Sequence, residues 1–280
     1  MQSRDSKSKQ SAIARSIIKK NYFYYHPITN SHNSSIYNMA EQNTSTNSPF
    51  KRIWEKVSKL WKKETNVYFI SGMCYNCKVF DKLRLPKGFK KQYIEWHIPR
   101  ADETLREYAK TMAKKIDTRS PFILVGYSFG AVIMQEMSYF LSPQKSVIIS
   151  SFKKQEEIPL LFRAVKRINL INRIPESLYS STDFVTNAFN QMVYHMPTSE
   201  LAEYMTYIDP IYIKWAVTQI THWIPDNEFR HLYHIHGTED QIFPYENIQG
   251  AYPVEDGDHL MVLKKAGTVS SILASILLMK

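Results

Sequence analysis

Long apolar runs, cysteine and a one-signed charge across its body are what this 280-residue chain lacks. No window approaches the roughly 18 uninterrupted apolar residues that a membrane-crossing helix needs, so no transmembrane segment is expected. Cys74 and Cys77 are the whole cysteine inventory, too few for a disulfide framework or a four-cysteine zinc site. Their Cys-x-x-Cys spacing has neither a helix start nor a thioredoxin-like context, which leaves redox and metal roles without support. The N-terminus is basic but has no apolar h-region, because Arg15 and Ser16 interrupt Ala12–Ile18. A secretory signal is therefore not expected, and a cytoplasmic protein is.

The formal charge of +10 is unevenly spread. Residues 1–65 hold 12 Lys and Arg against 4 Asp and Glu, whereas residues 66–280 hold 24 against 22. A near-neutral body argues against nucleic acid as a partner, since a basic face is the usual footprint of such binding. With 44% hydrophobic and 22% charged residues, the chain can bury a sizeable core.

Residues 1–50 are rich in Ser, Asn, Gln, Thr and Lys without periodicity and read as a disordered polar tail. Over 51–65 the pattern changes: Ile53, Trp54, Val57, Leu60 and Trp61 recur at helical spacing opposite a basic face. Such a helix suits weak contact with an anionic membrane surface through residues 51–64, but docking on the domain is the simpler reading. From residue 66 short apolar runs alternate with amphipathic stretches. Strands are expected over 67–71, 93–98, 122–125, 146–150, 232–235 and 252–254, with helices over 102–116, 129–141 and 264–278. Strands separated by helix-length segments imply a parallel sheet. Residues 153–229 contain no convincing strand and read as a helical insertion between 66–152 and 230–280.

The sharpest motif is Gly126-Tyr127-Ser128-Phe129-Gly130. Five letters of the form G-x-S-x-G arise often by chance. Here, however, the apolar run FILV precedes them and a helical stretch follows, the setting of a tight strand-to-helix turn with a serine at its apex. A serine hydroxyl is a weak nucleophile without a positioned base, and hydrolases with this turn place an acid and then a histidine downstream. Asp240 lies just past the expected strand 232–235, with Glu239 as its immediate competitor; neighbouring side chains diverge, and Asp240 is preferred. His259 is the one histidine after Asp240, in a loop with Gly257 before the last helix. His97, His234 and His236 fall in or beside strands and read as structural, and Asp258 is too near His259 in sequence to orient it.

Together GYSFG at 126–130, HGTEDQIFP at 236–244 and GDH at 257–259 resemble the serine turn, acid turn and histidine loop of the α/β-hydrolase superfamily. The likeness spans residues 66–280, and Phe243 stands where the acid motif usually has a small aliphatic residue. It implies an α/β fold with a mostly parallel sheet of about six strands, helices on both faces and a helical cap at 153–229. The superfamily's two leading strands have no counterpart. It also implies a catalytic triad of Ser128, Asp240 and His259, and an oxyanion hole formed by the N–H groups of Phe129 and Met73, in a loop where Ser71 replaces a common histidine. The expected reaction is hydrolysis of a small, apolar ester-like substrate, without metal or organic cofactor. Thioester or C–C bond hydrolysis, acyl transfer, and ligand binding without catalysis stay open as alternatives.

Overall fold

A computed structural model describes residues 64–100, 102–167, 198–225, 229 and 231–279. The expected tail over 1–50, the basic helix over 51–63 and the middle of the insertion, 168–197, lie outside the described residues. Thr65, which the sequence reading puts at the end of that helix, instead opens the first strand.

Six strands form one sheet among the described residues: β1 (Thr65–Ile70), β2 (Phe89–Tyr93), β3 (Phe122–Tyr127), β4 (Lys145–Ile149), β5 (Leu232–Gly237) and β6 (Tyr252–Val254). Their order is β2-β1-β3-β4-β5-β6, and every neighbouring pair is parallel. Every residue of β3 is buried, as a strand covered on both faces requires. The chain steps from β1 out to the edge at β2, then returns past β1 to β3 and progresses the other way. That reversal falls between β1 and β3, and open α/β sheets bind their ligands beyond the carboxyl ends of strands at such a point.

The second strand lies earlier than its sequence pattern indicates, over 89–93 rather than 93–98. Its residues FKKQY carry two lysines and a glutamine, tolerable because β2 is an edge strand. Lys91 lays its ammonium on the carbonyls of Phe80, Asp81 and Leu83 at 3.1, 3.1 and 2.8 Å. After Tyr93 only Ile94 still reaches the sheet, through its N–H to the Phe69 carbonyl (3.0 Å). Trp96 turns inward instead and Ile98 is exposed, so the apolar pattern over 94–98 is not one of strand pairing.

Helix α1 (Leu105–Ala113) begins later than the expected residue 102, because Thr104 and Glu107 close a reciprocal capping box. Helix α2 (Phe129–Met137) is buried along its whole length against β1, β3 and β4. It stops short of 141. Between β4 and β5 come α3 (Leu160–Arg167), α4 (Thr198–Tyr204) and α5 (Pro210–His222); at the C-terminus the expected helix over 264–278 is α7 (Ala266–Leu278), and a short α6 (Met261–Lys264) precedes it across Lys265.

Asp209 caps α5 by accepting the Tyr212 N–H at 3.0 Å, and Pro210 fills the first turn, where no donor is needed. The helix packs on α2 and α3. Its indoles are tied to the core: Trp215 donates to the Glu103 carbonyl (2.6 Å) and Trp223, just past its end, to the Glu136 carboxylate (2.8 Å). Residues 204–207 clasp the loop after β1, with Asn76 N–H to Tyr204 O at 2.8 Å and Tyr207 N–H to Cys74 O at 3.1 Å.

Two histidines, His234 and His236, are buried in β5. Burial holds both rings below the ordinary value of 6.5, helped at His234 by the charges of His236 and Lys153 and opposed at His236 by Asp240. They stay neutral in the fold, whereas in the unfolded chain each takes a proton as the pH drops through 6.5. Stability should therefore fall with pH below that value and be indifferent to these rings above it. The urea midpoint is expected to be lower at pH 5.5 than at pH 7.5; an unchanged midpoint would contradict the buried neutral pair. Leu124→Ala, in the middle of β3, should cost about 2–5 kcal/mol in the same assay, and Lys90→Ala on the exposed edge no more than about 0.5 kcal/mol.

Candidate active site

Ser128 joins β3 to α2 with φ 51° and ψ −121°, a left-handed conformation that costs a non-glycine residue roughly 1–3 kcal/mol. Its N–H is held by the Ile149 carbonyl of β4 (2.9 Å), and its own carbonyl accepts from Ala131 (3.0 Å). The flanking glycines are sterically required. A Cβ on Gly126 would lie 2.4 Å from Ala131 Cα, and one on Gly130 would lie 2.3 Å from the carbonyl oxygens of Ile70 and Ser71. Neighbouring Tyr127 donates its hydroxyl to the His259 carbonyl at 3.0 Å, fastening the histidine loop to the serine turn.

Asp240 and His259 come from the loops after β5 and β6, which lie flush because a Cβ on Gly237 would fall 2.1 Å from the Gly257 oxygen. Thr238 N–H to Val254 O (3.1 Å) and Glu239 N–H to Gly257 O (2.9 Å) tie the two together. Asp240 is buried and Glu239 exposed. One Asp240 oxygen, Oδ1, accepts the N–H groups of Ile242 and Phe243 at 2.9 and 3.0 Å. The other, Oδ2, lies 2.9 Å from His259 Nδ1. Burial alone would push the Asp240 carboxyl up, but the charge and hydrogen bond of His259, the His236 ring and the Phe243 N–H together hold it below 3.8. Asp258 is occupied elsewhere, accepting the Leu260 N–H at 2.9 Å and pairing with Lys264.

The carboxylate can only accept, so Nδ1 of His259 carries the proton and Nε2 presents its lone pair. That Nε2 lies 2.9 Å from Ser128 Oγ. Ser128, His259 and Asp240, three residues predicted from separate motifs, thus form one continuous hydrogen-bonded line with the base aimed at the hydroxyl.

Beside this line are the two residues assigned to the oxyanion hole. Phe129 opens α2, and the first N–H groups of a helix have no intrahelical acceptor. Met73 sits in the loop Ser71-Gly72-Met73 after β1, which runs against the serine: a Cβ on Gly72 would lie 3.3 Å from Ser128 Cβ. Trp96 braces both sides. Its indole N–H reaches Ser71 Oγ (2.9 Å) and the Gly72 carbonyl (3.1 Å), while its ring stacks on Phe129 with centroids 5.4 Å apart. Trp215 of α5 meets Phe129 edge-on at 6.0 Å, and Tyr212 meets Trp96 at 5.6 Å.

Trp96 and His236 are the contributors that the sequence reading does not single out. The first lies in a stretch taken for a strand. The second, read as structural, has its Nε2 3.6 Å from Asp240 Oδ2, and its spacing four residues before the acid was the available signal. Cys74 and Cys77 are free and buried, and burial above all pushes both thiols up to about 12, away from thiolate chemistry. No group of three potential metal ligands occurs among the described residues, and none of their helices is long and apolar enough to cross a membrane.

No family model and no curated protein matches this chain. Solved structures do. An α/β-hydrolase-fold protein from Burkholderia ambifaria superimposes with a TM-score of 0.58 at 12% identity, covering 76% of this chain and 90% of that one. A thermophilic esterase from Thermogutta terrifontis, with malate bound, gives 0.57 at 12% identity over 77% and 90%. A lipase-esterase related protein from Clostridium acetobutylicum gives 0.55 at 15% identity over 77% and 96%. At such identities the likeness is one of architecture, and it agrees with the parallel six-stranded sheet: this chain has the α/β-hydrolase fold.

Proposed function

We propose that the protein is a serine hydrolase that cleaves an ester-like bond of a small, apolar acyl substrate through an acyl-enzyme. The observation that carries this reading is the line from Ser128 Oγ through His259 to Asp240, with 2.9 Å at each step. Folds that use the serine turn only as a connector have no need to aim a buried imidazole at its hydroxyl.

In the proposed reaction, Ser128 Oγ attacks the substrate carbonyl while His259 Nε2 takes its proton as general base. Asp240 keeps the imidazole in the tautomer that makes this transfer possible and stabilises the imidazolium that results. The carbonyl oxygen becomes an oxyanion, which the N–H groups of Phe129 and Met73 receive. The imidazolium then protonates the departing alkoxide, leaving an acyl ester on Ser128. Water enters, loses a proton to His259 and attacks that ester, and the serine hydroxyl is restored as the acid leaves. No metal or organic cofactor takes part. Residues 153–229 are rich in large apolar side chains, Trp215 and Trp223 among them, which favours an apolar acyl group. In the proposed arrangement segment 153–229 is the cap over the serine.

The same triad supports thioester hydrolysis, C–C bond hydrolysis and acyl transfer to an alcohol, and a panel of these substrates ranks them by kcat/KM. Against short nitrophenyl esters, Ser128→Ala should lower kcat by at least about 10^4-fold while leaving the thermal unfolding curve in place; normal turnover by a folded variant would sink the assignment. Asp240→Asn should cost on the order of 10^4-fold in kcat, because the amide favours the wrong imidazole tautomer. Equal activity of Asp240→Asn and wild type, measured in the same assay, would remove Asp240 from the mechanism.

A further inference from the structure

Residues two apart on a strand share a face, so His234 and His236 of β5 lie on the same side of the sheet. They are in contact: His234 Nε2 is 3.1 Å from His236 Nδ1. His236 Nε2 is 2.8 Å from the Phe243 carbonyl and 3.6 Å from Asp240 Oδ2. At the other end, His234 Nδ1 is 3.2 Å from Lys153 Nζ, which also contacts the Gln249 carbonyl and lies 3.4 Å from buried Glu157.

The proton positions along this chain follow from donor chemistry. A carbonyl only accepts, so His236 carries its proton on Nε2 and gives it to Phe243, with Asp240 Oδ2 beyond hydrogen-bond distance. Its Nδ1 is then an acceptor and takes the Nε2–H of His234. The Nδ1 of His234 is in turn an acceptor and takes a proton from the Lys153 ammonium, which has only donors. Every link runs one way, from Lys153 inward, and the His234 ring also hydrogen-bonds the Ser151 carbonyl. Burial, which disfavours the charged form of both rings, keeps the chain in this neutral state.

Phe243 closes the arrangement, for its N–H donates to Asp240 Oδ1 (3.0 Å) while its carbonyl accepts from His236. Turning the His236 ring over would therefore strand a buried carbonyl and remove the N–H dipole beside Oδ2. The other groups facing His236 are His259 and Glu157, by charge, and the Tyr245 ring, stacked at 6.3 Å. Oδ2 takes its hydrogen bond from His259 Nδ1 (2.9 Å), and His236, its N–H given to the Phe243 carbonyl, holds the carboxylate through the Phe243 turn and its own nearby ring.

We propose that His236 is a positioning residue for Asp240, its Nε2–H held in place through His234 by Lys153 so that the carboxylate stays aimed at His259. This rests on the triad reading above and deepens it. A core-filling role would tolerate a phenyl ring of similar shape; a positioning role would not.

The test uses the full chain and a nitrophenyl ester. His236→Phe should lower kcat by about 10- to 100-fold, the range seen when a group orienting a reactive ligand is removed, with KM changed by less than about twofold. His236→Gln, whose amide places an N–H near the position of Nε2, should recover kcat to within about threefold of wild type. Wild-type kcat in a folded His236→Phe overturns the positioning role and leaves the triad standing, whereas an inert wild type that no serine probe labels overturns both. Nitrogen NMR of the unmutated protein decides the case in which His236→Phe does not fold. Both rings are expected as neutral Nε2–H tautomers at pH 7, and an Nδ1–H tautomer at His236 overturns the proposal.

Discussion

The backbone of Ser128 is held in a conformation it would not choose, and the mouth of the sheet is organised around that fact. A left-handed serine between β3 and α2 costs on the order of 1–3 kcal/mol. It persists because the hydrogen bond to β4, two glycines with no room for a Cβ, and a wholly buried helix leave the chain no other path. The same geometry lifts Oγ clear of the sheet and leaves the first amide of α2 beside it. The strain, the proposed nucleophile and one proposed oxyanion donor thus share one turn.

Asp240 is the second fixed point. Its two oxygens receive the N–H groups of Ile242, Phe243 and His259, so both the acid loop and the histidine loop are set by one buried carboxylate. Behind it, β5 continues the network through His236 and His234 to Lys153. In front, Tyr127 fixes the backbone of His259 from the serine turn itself.

The order of elements was legible because parallel strands buried on both faces leave conspicuous apolar runs, as at 67–70 and 122–125. The Ser128 turn was legible because its glycines are demanded by close backbone approach and cannot drift. β2 was misplaced since an edge strand with lysines leaves no apolar trace, while Ile94 and Trp96 mimic a strand by packing inward. Helix ends moved by a few residues where a capping box or a break at Lys265 decided them. What sequence could not convey was which polar residues converge from separate strands. Trp96 reaches the loop after β1 only through the fold, and His236 reads as an ordinary buried histidine until the turn at Asp240 folds back upon it.

The account stands on Ser128 being a nucleophile activated by its contact with His259. Treating the full-length protein with a fluorophosphonate and mapping the adduct by peptide mass spectrometry tests that claim most directly. One phosphonyl group on the peptide bearing Ser128, absent when His259 is changed to Ala, is the predicted result. A protein that stays unmodified under conditions that saturate a known serine hydrolase, or carries the label on another residue, would contradict it.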